Sequence, residues 1–242
     1  MFTYEIKYLI TADRAEEIRD WVRTRIDADP HGAGESGDVY HVRSLYFDTE
    51  DFDVFYRRGS FGRSKYRIRR YESGEATFLE RKLRRRNKVS KRRSIVGLGD
   101  LERLANDEAP NGWEGYWFHR RLLARRLMPI CQISYRRIAR VSMTDLGPIR
   151  LTIDQNVHAL PVRVAAFDDP GQGPCVSGDR SILELKYRQS MPAVFKHLVE
   201  TFALEPQAVS KYRLAAVALG CVPATSAVGA EALPDPSPCL IS

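Results

Sequence analysis

Residues 65–93 read KYRIRRYESGEATFLERKLRRRNKVSKRR and carry Lys or Arg at Lys65, Arg67, Arg69, Arg70, Arg81, Lys82, Arg84, Arg85, Arg86, Lys88, Lys91, Arg92 and Arg93. A disordered basic arm is poor in aromatic and β-branched residues and has no period. Here Tyr66, Ile68, Tyr71, Phe78, Leu79, Leu83 and Val89 interrupt the charge, and basic residues recur two apart, as in Arg67/Arg69 and Lys91/Arg93. Successive strand side chains point to opposite faces, so residues i and i+2 share one. The stretch is read as folded strands with cations on one side and apolar groups on the other.

The same alternation continues outward from this stretch. Glu5 shares a face with Lys7, Glu80 with Lys82, Tyr135 with Arg137, Arg150 with Thr152 and Asp154, and Glu184 with Lys186. Strands are expected at Tyr4–Ile10, Val39–Phe47, Ser64–Tyr71, Ala76–Leu83, Val89–Ile95, Gln132–Val141, Ile149–Val157 and Ser181–Arg188. Any one such strand fits a solvated outer face. A flat sheet with this many cations on one face would suffer cross-strand repulsion. A closed barrel of about eight strands has no edges and leaves room for one small ligand inside. The expected fold is therefore α+β: an antiparallel β-barrel tunnel with helices packed on its outside. Helices are expected over Asp13–Ile26, capped by Asp13, over Trp113–Leu127, and over Pro192–Leu204. Loops are expected at Asp27–Asp38 and Asp168–Asp179. The domain is assigned to residues 1–221, and the Ala/Pro/Ser-rich segment 222–242 reads as a disordered tail.

Bulk properties bound the partners. The 242 residues hold 38 Lys and Arg against 31 Asp and Glu, a net charge of +7, which favours an anionic ligand. The four cysteines are widely spaced with no CxxC pair, which argues against a zinc site or a disulfide framework and suits a reducing compartment. The N-terminal residues lack a signal-peptide pattern, and no apolar run approaches membrane-spanning length, so a cytoplasmic protein without an integral membrane segment is expected. Arg and Lys turned inward would grip phosphate oxygens, Arg bidentately and Lys as a point charge. The inward set of the opening stretch is Arg67, Arg69, Lys82, Lys91 and Arg93, and the outward set is Arg70, Arg81, Arg85 and Arg92. Among the carboxylates, Glu184 first and Glu5 second could hold a hard divalent cation, Mg²⁺ or Mn²⁺, beside substrate phosphates. Each of the four, Glu5, Glu80, Asp154 and Glu184, could equally pair with neighbouring arginines.

YEIKYLI, SLYFDT, YRIRRY, FLERK, VSKRR, SYRR, IRLTID, LELKYR and VSKYR follow one another in that order. With them the chain resembles, over roughly residues 3–215, the polyphosphate-polymerase (vacuolar transporter chaperone, VTC) domain of the triphosphate tunnel metalloenzyme superfamily. That resemblance implies a β-tunnel that binds triphosphate and a divalent metal and passes the terminal phosphate of ATP to a polyphosphate chain, releasing ADP. It implies tunnel roles for Lys7, Arg67, Arg69, Lys82, Lys91, Tyr135, Arg137, Arg150, Ser210 and Lys211, and metal binding for Glu184. Lys186 and Arg93 join the substrate-binding set through the strand faces they share. ATP and inorganic polyphosphate are the expected partners, with no specific nucleic acid. Two positions depart from related patterns. Thr3 stands where the triphosphatase and cyclase branch has the first Glu of Glu-x-Glu-x-Lys, which favours the polymerase branch over hydrolysis. Arg84 stands where the eukaryotic polymerases have a His.

Overall fold

The structure is a computed structural model that describes residues 3–32, 37–61, 64–72, 74–85, 88–169 and 173–223. Strand β1 (Thr3–Thr11) runs into helix α1 (Ala12–Arg23), which is followed by the two-residue strand β2 (Asp27–Ala28) and by β3 (Val39–Asp48). A short helix α2 (Asp53–Tyr56) precedes the meander β4 (Ser64–Tyr71), β5 (Thr77–Arg85) and β6 (Lys88–Val96). A 3₁₀ segment (Gly99–Ala105) and helix α3 (Tyr116–Ala124) lead to the long hairpin β7 (Met128–Thr144) and β8 (Gly147–Pro161). Strand β9 (Arg180–Tyr187) and helices α4 (Ala193–Thr201) and α5 (Lys211–Ala218) complete the described chain.

All pairings are antiparallel, in the order β7-β3-β4-β5-β6-β1-β9-β8, and β8 returns to β7, so eight strands close into a barrel. All eight expected strands are present. The expected loop at Asp27–Asp38 opens instead with β2, whose residues pair with Arg140 and Val141 of β7 just past the end of β3. The β7–β8 hairpin is longer than the alternation suggests, because its turn keeps pairing as far as Thr144 and Gly147. Gly147 has φ +98, in the left-handed region where a side chain would be strained.

The outward faces of the strands are apolar and need cover. On β1, β8 and β9, Tyr8, Ile10, Leu151, Ile153, Leu183 and Leu185 are buried together with Ala15, Ile18 and Val22 of α1 and Phe195 and Leu198 of α4. Helix α1 starts at Ala12, and its cap is Thr11, whose hydroxyl accepts from the Arg14 N–H at 3.3 Å, rather than the expected Asp13. On β3, β4 and β5, Leu45, Phe47, Tyr66, Ile68 and Leu79 are covered by Phe118 and Leu122 of α3. The Phe118 ring meets Phe47 edge-on at 5.8 Å. Each such buried side chain contributes about 1.5–3 kcal/mol. With apolar groups on the outer wall, the polar half of every strand is left for the interior. Val222, placed by composition in the tail, is 5% exposed and belongs to the core, whereas residues 224–242 of that segment lie outside the described residues. Among the described residues no helix is long and apolar enough to cross a membrane.

Candidate active site

Directly opposed residues of neighbouring antiparallel strands project to the same side. The register therefore fixes which charges meet inside the barrel. One row runs Tyr46, Arg67, Glu80, Arg93 across β3, β4, β5 and β6. A second runs Lys65, Lys82, Lys91 across β4, β5 and β6. On the other wall Glu5 opposes Lys186, which opposes Arg150, and Lys7 opposes Glu184, which opposes Thr152.

Three acidic nodes hold these cations apart. Glu80, fully buried, takes Arg67 at 2.7 Å, Arg93 at 2.6 Å and Lys91 at 2.5 Å. Burial alone would raise its carboxyl, but Arg67, Arg69 and the other cations hold it far below the usual carboxylate range. Asp154 accepts from Arg137 Nε and Nη2 at 2.6 and 2.8 Å and from Lys211 at 2.5 Å, and against the cost of burial these cations keep it ionised. Glu5 and Glu184 form the third node. Lys82 reaches both oxygens of Glu5 at 2.6 and 2.7 Å, while Glu184 pairs with Lys186 at 2.6 Å. Lys7 lies 3.8 Å from each carboxylate. Burial and mutual repulsion push the Glu5 carboxyl up, and the three lysines more than offset both. Arg69 is held by hydroxyls, those of Ser44 at 3.2 Å and Tyr135 at 2.9 Å.

A cavity of about 540 Å³, its open mouth included, lies among these groups. Lys7, Lys65, Lys82, Lys186, Lys211, Arg67, Arg69 and Arg137 line it, with Glu184 as its carboxylate. Helix α5 contributes from one side: Lys211 sits over the Tyr135 ring at 4.8 Å, and Tyr212 stacks on Tyr46 at 5.5 Å. The buried Asp48 anchors that helix by accepting the Tyr212 hydroxyl at 2.5 Å, along with the backbone N–H groups of Thr49, Val54 and Phe55.

Of the residues singled out in the sequence, Lys7, Arg67, Arg69, Lys82, Tyr135, Arg137, Glu184, Lys186, Ser210 and Lys211 line this one cavity. Glu5, Lys91 and Arg93 stand beside it, ion-paired to its walls, with Lys91 and Arg93 more open to solvent. Arg150 does not line it; its guanidinium pairs with Asp29 at 2.7 Å and the Tyr40 hydroxyl at 2.5 Å. The outward assignment agrees with the register at Arg81, which opposes Tyr66 and Arg92, and Arg92 stacks over Trp117 at 4.3 Å. The side chain of Arg85 lies outside the described residues. Lys65, Tyr46 and Tyr212 line the cavity without having been singled out. Lys65 continues the period of two from Arg67 and donates to the Ser210 hydroxyl at 2.5 Å, and Tyr46 lies in SLYFDT. Tyr212 lies in VSKYR, beside Ser210 and Lys211.

The model of the VTC domain family matches residues 2–219. No curated protein matches the chain. Among solved structures, the bh2851 protein of Bacillus halodurans shares 16% identity at a TM-score of 0.50, covering 86% of this chain and 92% of its own. The PH1819 protein of Pyrococcus horikoshii shares 12% at 0.49, covering 87% and 97%. The Hippeastrum protein HpAC1, described as having a dominant triphosphatase activity, shares 15% at 0.49, covering 88% and 93%. A barrel closed by the same register that turns its cations inward, and a family match spanning almost the whole described chain, lead to one conclusion: the chain belongs to the VTC domain family.

Proposed function

We propose that this protein is a metal-dependent phosphotransferase that moves the γ-phosphate of ATP to a polyphosphate chain and releases ADP. The observation that carries this reading is the cavity itself, lined among the described residues by eight cations and one carboxylate, Glu184, inside a closed barrel. Phosphoryl transfer needs little covalent help from a protein, because most of the catalysis is positioning and charge stabilisation. Arg67, Arg69 and Arg137 offer planar forks to phosphate oxygens, and hydroxyls and carboxylates already hold those forks in place. Lys7 and Lys186 on the facing wall, Lys82 on β5 and Lys211 on α5 supply point charges. Lys91, Arg93, Tyr135 and Ser210 belong to the same set, and Arg150 would act only where a longer chain reached past the cavity.

Glu184 and Glu5 fit a hard divalent cation. They are buried on adjacent strands, lysines keep them ionised, and they supply the one or two carboxylates that Mg²⁺ or Mn²⁺ takes beside substrate phosphates. Held by Glu184 and Glu5, such an ion would supply charge neutralisation for the phosphates. Thr3 in place of a further carboxylate leaves the N-terminal strand without a second acidic group to orient water, which supports transfer to phosphate rather than hydrolysis.

The test is product analysis. Purified protein with ATP and Mn²⁺ is expected to yield ADP and a ladder of acid-labile polymer, with little orthophosphate. Glu184→Gln is expected to abolish Mn²⁺-dependent turnover while retaining metal-free triphosphate binding. Stoichiometric orthophosphate without polymer would make the protein a triphosphatase. Tight triphosphate binding without turnover would make it a polyphosphate-binding module.

A further inference from the structure

On the far side of the β3–β5 wall the 3₁₀ segment, α3 and residues 163–167 enclose a second cavity, an apolar groove of about 950 Å³. Its floor reaches the core, since Phe47, Leu101, Leu122 and Leu127 line it and are buried. Leu98, Leu123 and Val164 give it a rim left open to solvent, at 42%, 37% and 66% exposed. A cleft of this size, apolar with a few polar groups, suits a small molecule, whereas a protein partner docks on a broader surface.

The polar groups give the ligand its sign. Among the described residues, Arg70, Arg126 and Arg163 line the groove against one carboxylate, the exposed Glu102. Arg126 and Arg163 are also exposed, and both stand at the β7 end. Arg126 precedes β7 by two residues, and Arg163 follows Val162, whose N–H donates to the Ile130 carbonyl at 3.1 Å. Phe47 opposes Pro129 of β7 on one side and Tyr66 of β4 on the other. Arg70 lies four residues further along β4, about 13 Å away at the rise of a strand. There its side chain is half-buried, and its Nε has no hydrogen-bond partner among the described residues. Thr77, directly opposite Arg70 on β5, is fully buried with its hydroxyl likewise unpartnered. Buried donors left without an acceptor are costly, and an anionic oxygen is the acceptor a guanidinium binds most strongly.

We propose that this groove binds a fatty acid of medium or long chain, its carboxylate on Arg70 and its chain along Leu101, Leu122, Leu127 and Phe47. The chain emerges between Arg126 and Arg163, whose aliphatic stems flank it while their guanidinium groups stay in water. Arg69 and Arg70 are neighbours on β4 that face opposite ways, one into the phosphate cavity and the other into this groove.

The experiment titrates the full chain with dodecanoate below its micelle concentration, with inorganic triphosphate present to compete at the cationic cavity. Saturable binding of one dodecanoate per chain is expected, together with slower amide exchange at residues 98–105 and 163–167. Dodecan-1-ol, which has the chain without the charge, is expected to bind at least about tenfold more weakly, and Arg70→Gln to weaken dodecanoate by the same factor. Leu123→Glu, which places a charge on the exposed rim, is expected to weaken dodecanoate as well and serves should Arg70→Gln not fold. Equal affinity for alcohol and acid, or wild-type affinity in either variant, overturns the proposal. So does binding confined to anionic phospholipid vesicles, which would assign this face to a membrane surface. Protection of the same amides in a concentration-dependent dimer without dodecanoate overturns it too, by assigning the groove to a second copy.

Discussion

Tyr71 closes the row of interior groups on β4 and faces Arg69, Arg137, Glu80 and Arg93, with the Tyr40 and Phe78 rings against it. Burial pushes its phenol up, but Arg69 and Arg137 pull it down to about 7. As pH rises through that value a phenolate forms beside two arginines that the proposed mechanism uses to hold phosphate. Its repulsion of a bound anion is worth about 1 kcal/mol at short range in water. Metal-free triphosphate affinity is therefore expected to fall roughly fivefold between pH 6 and 8, and Tyr71→Phe to flatten that profile. The linked effect on stability has the opposite direction. The folded value is depressed below the unfolded one near 10, so the stabilisation is complete above pH 10 and is lost as pH falls through 7. Titration calorimetry across this range, with wild type and variant side by side, checks the sign.

At the scale of the element, β5 carries the clearest division of labour. Glu80 and Lys82 point into the barrel, where one binds three cations and the other chelates Glu5. Arg81 between them lies across from Tyr66 on the outer wall. Lys82→Ala is expected to weaken triphosphate binding at low salt by about 10- to 150-fold, the loss of one charge-assisted contact of about 1.5–3 kcal/mol. Arg81→Ala is expected to retain wild-type affinity. Equal losses at both positions would contradict the strand's alternation. Helix α5 depends on context in another way. Ser210 accepts its Arg213 N–H at 3.4 Å, and the fold, through Asp48 and Tyr212, brings Lys211 against Asp154.

At the scale of the molecule, the tunnel holds its cations at close quarters around a few carboxylates, so an anion relieves repulsion as well as adding contacts. A ligand at a hundred times its Kd stabilises a fold by about 2.7 kcal/mol. For a chain of this size, triphosphate is then expected to raise Tm by about 5–10 °C. Because Lys91, Arg93 and Lys186 are each about a third exposed, part of that gain is screened and should shrink between 50 mM and 500 mM salt. Differential scanning fluorimetry with and without triphosphate at both salt levels measures it. A shift independent of salt would place binding away from the lysine wall.

The amino-acid sequence alone determined the eight barrel strands, the turning inward of their charged halves and an anionic ligand, because strand alternation has a period of two and is written in every local stretch. Strand alternation marked eight of the residues that line the cavity, Lys7, Arg67, Arg69, Lys82, Tyr135, Arg137, Glu184 and Lys186, and the family resemblance alone added Ser210 and Lys211. What the tertiary structure decided is non-local. The strand register put Glu80 between Arg67 and Arg93, and it brought Glu5 to Lys82 across 77 residues of sequence. Barrel closure left Arg150 with Asp29 and Tyr40 instead of in the cavity. Helix α5 has a weak apolar period, so only its packing against β7 and β8 revealed it, and with it the place of Tyr212. The groove on the outer wall belongs to the same category, because its residues come from segments that meet only when α3 packs on the sheet.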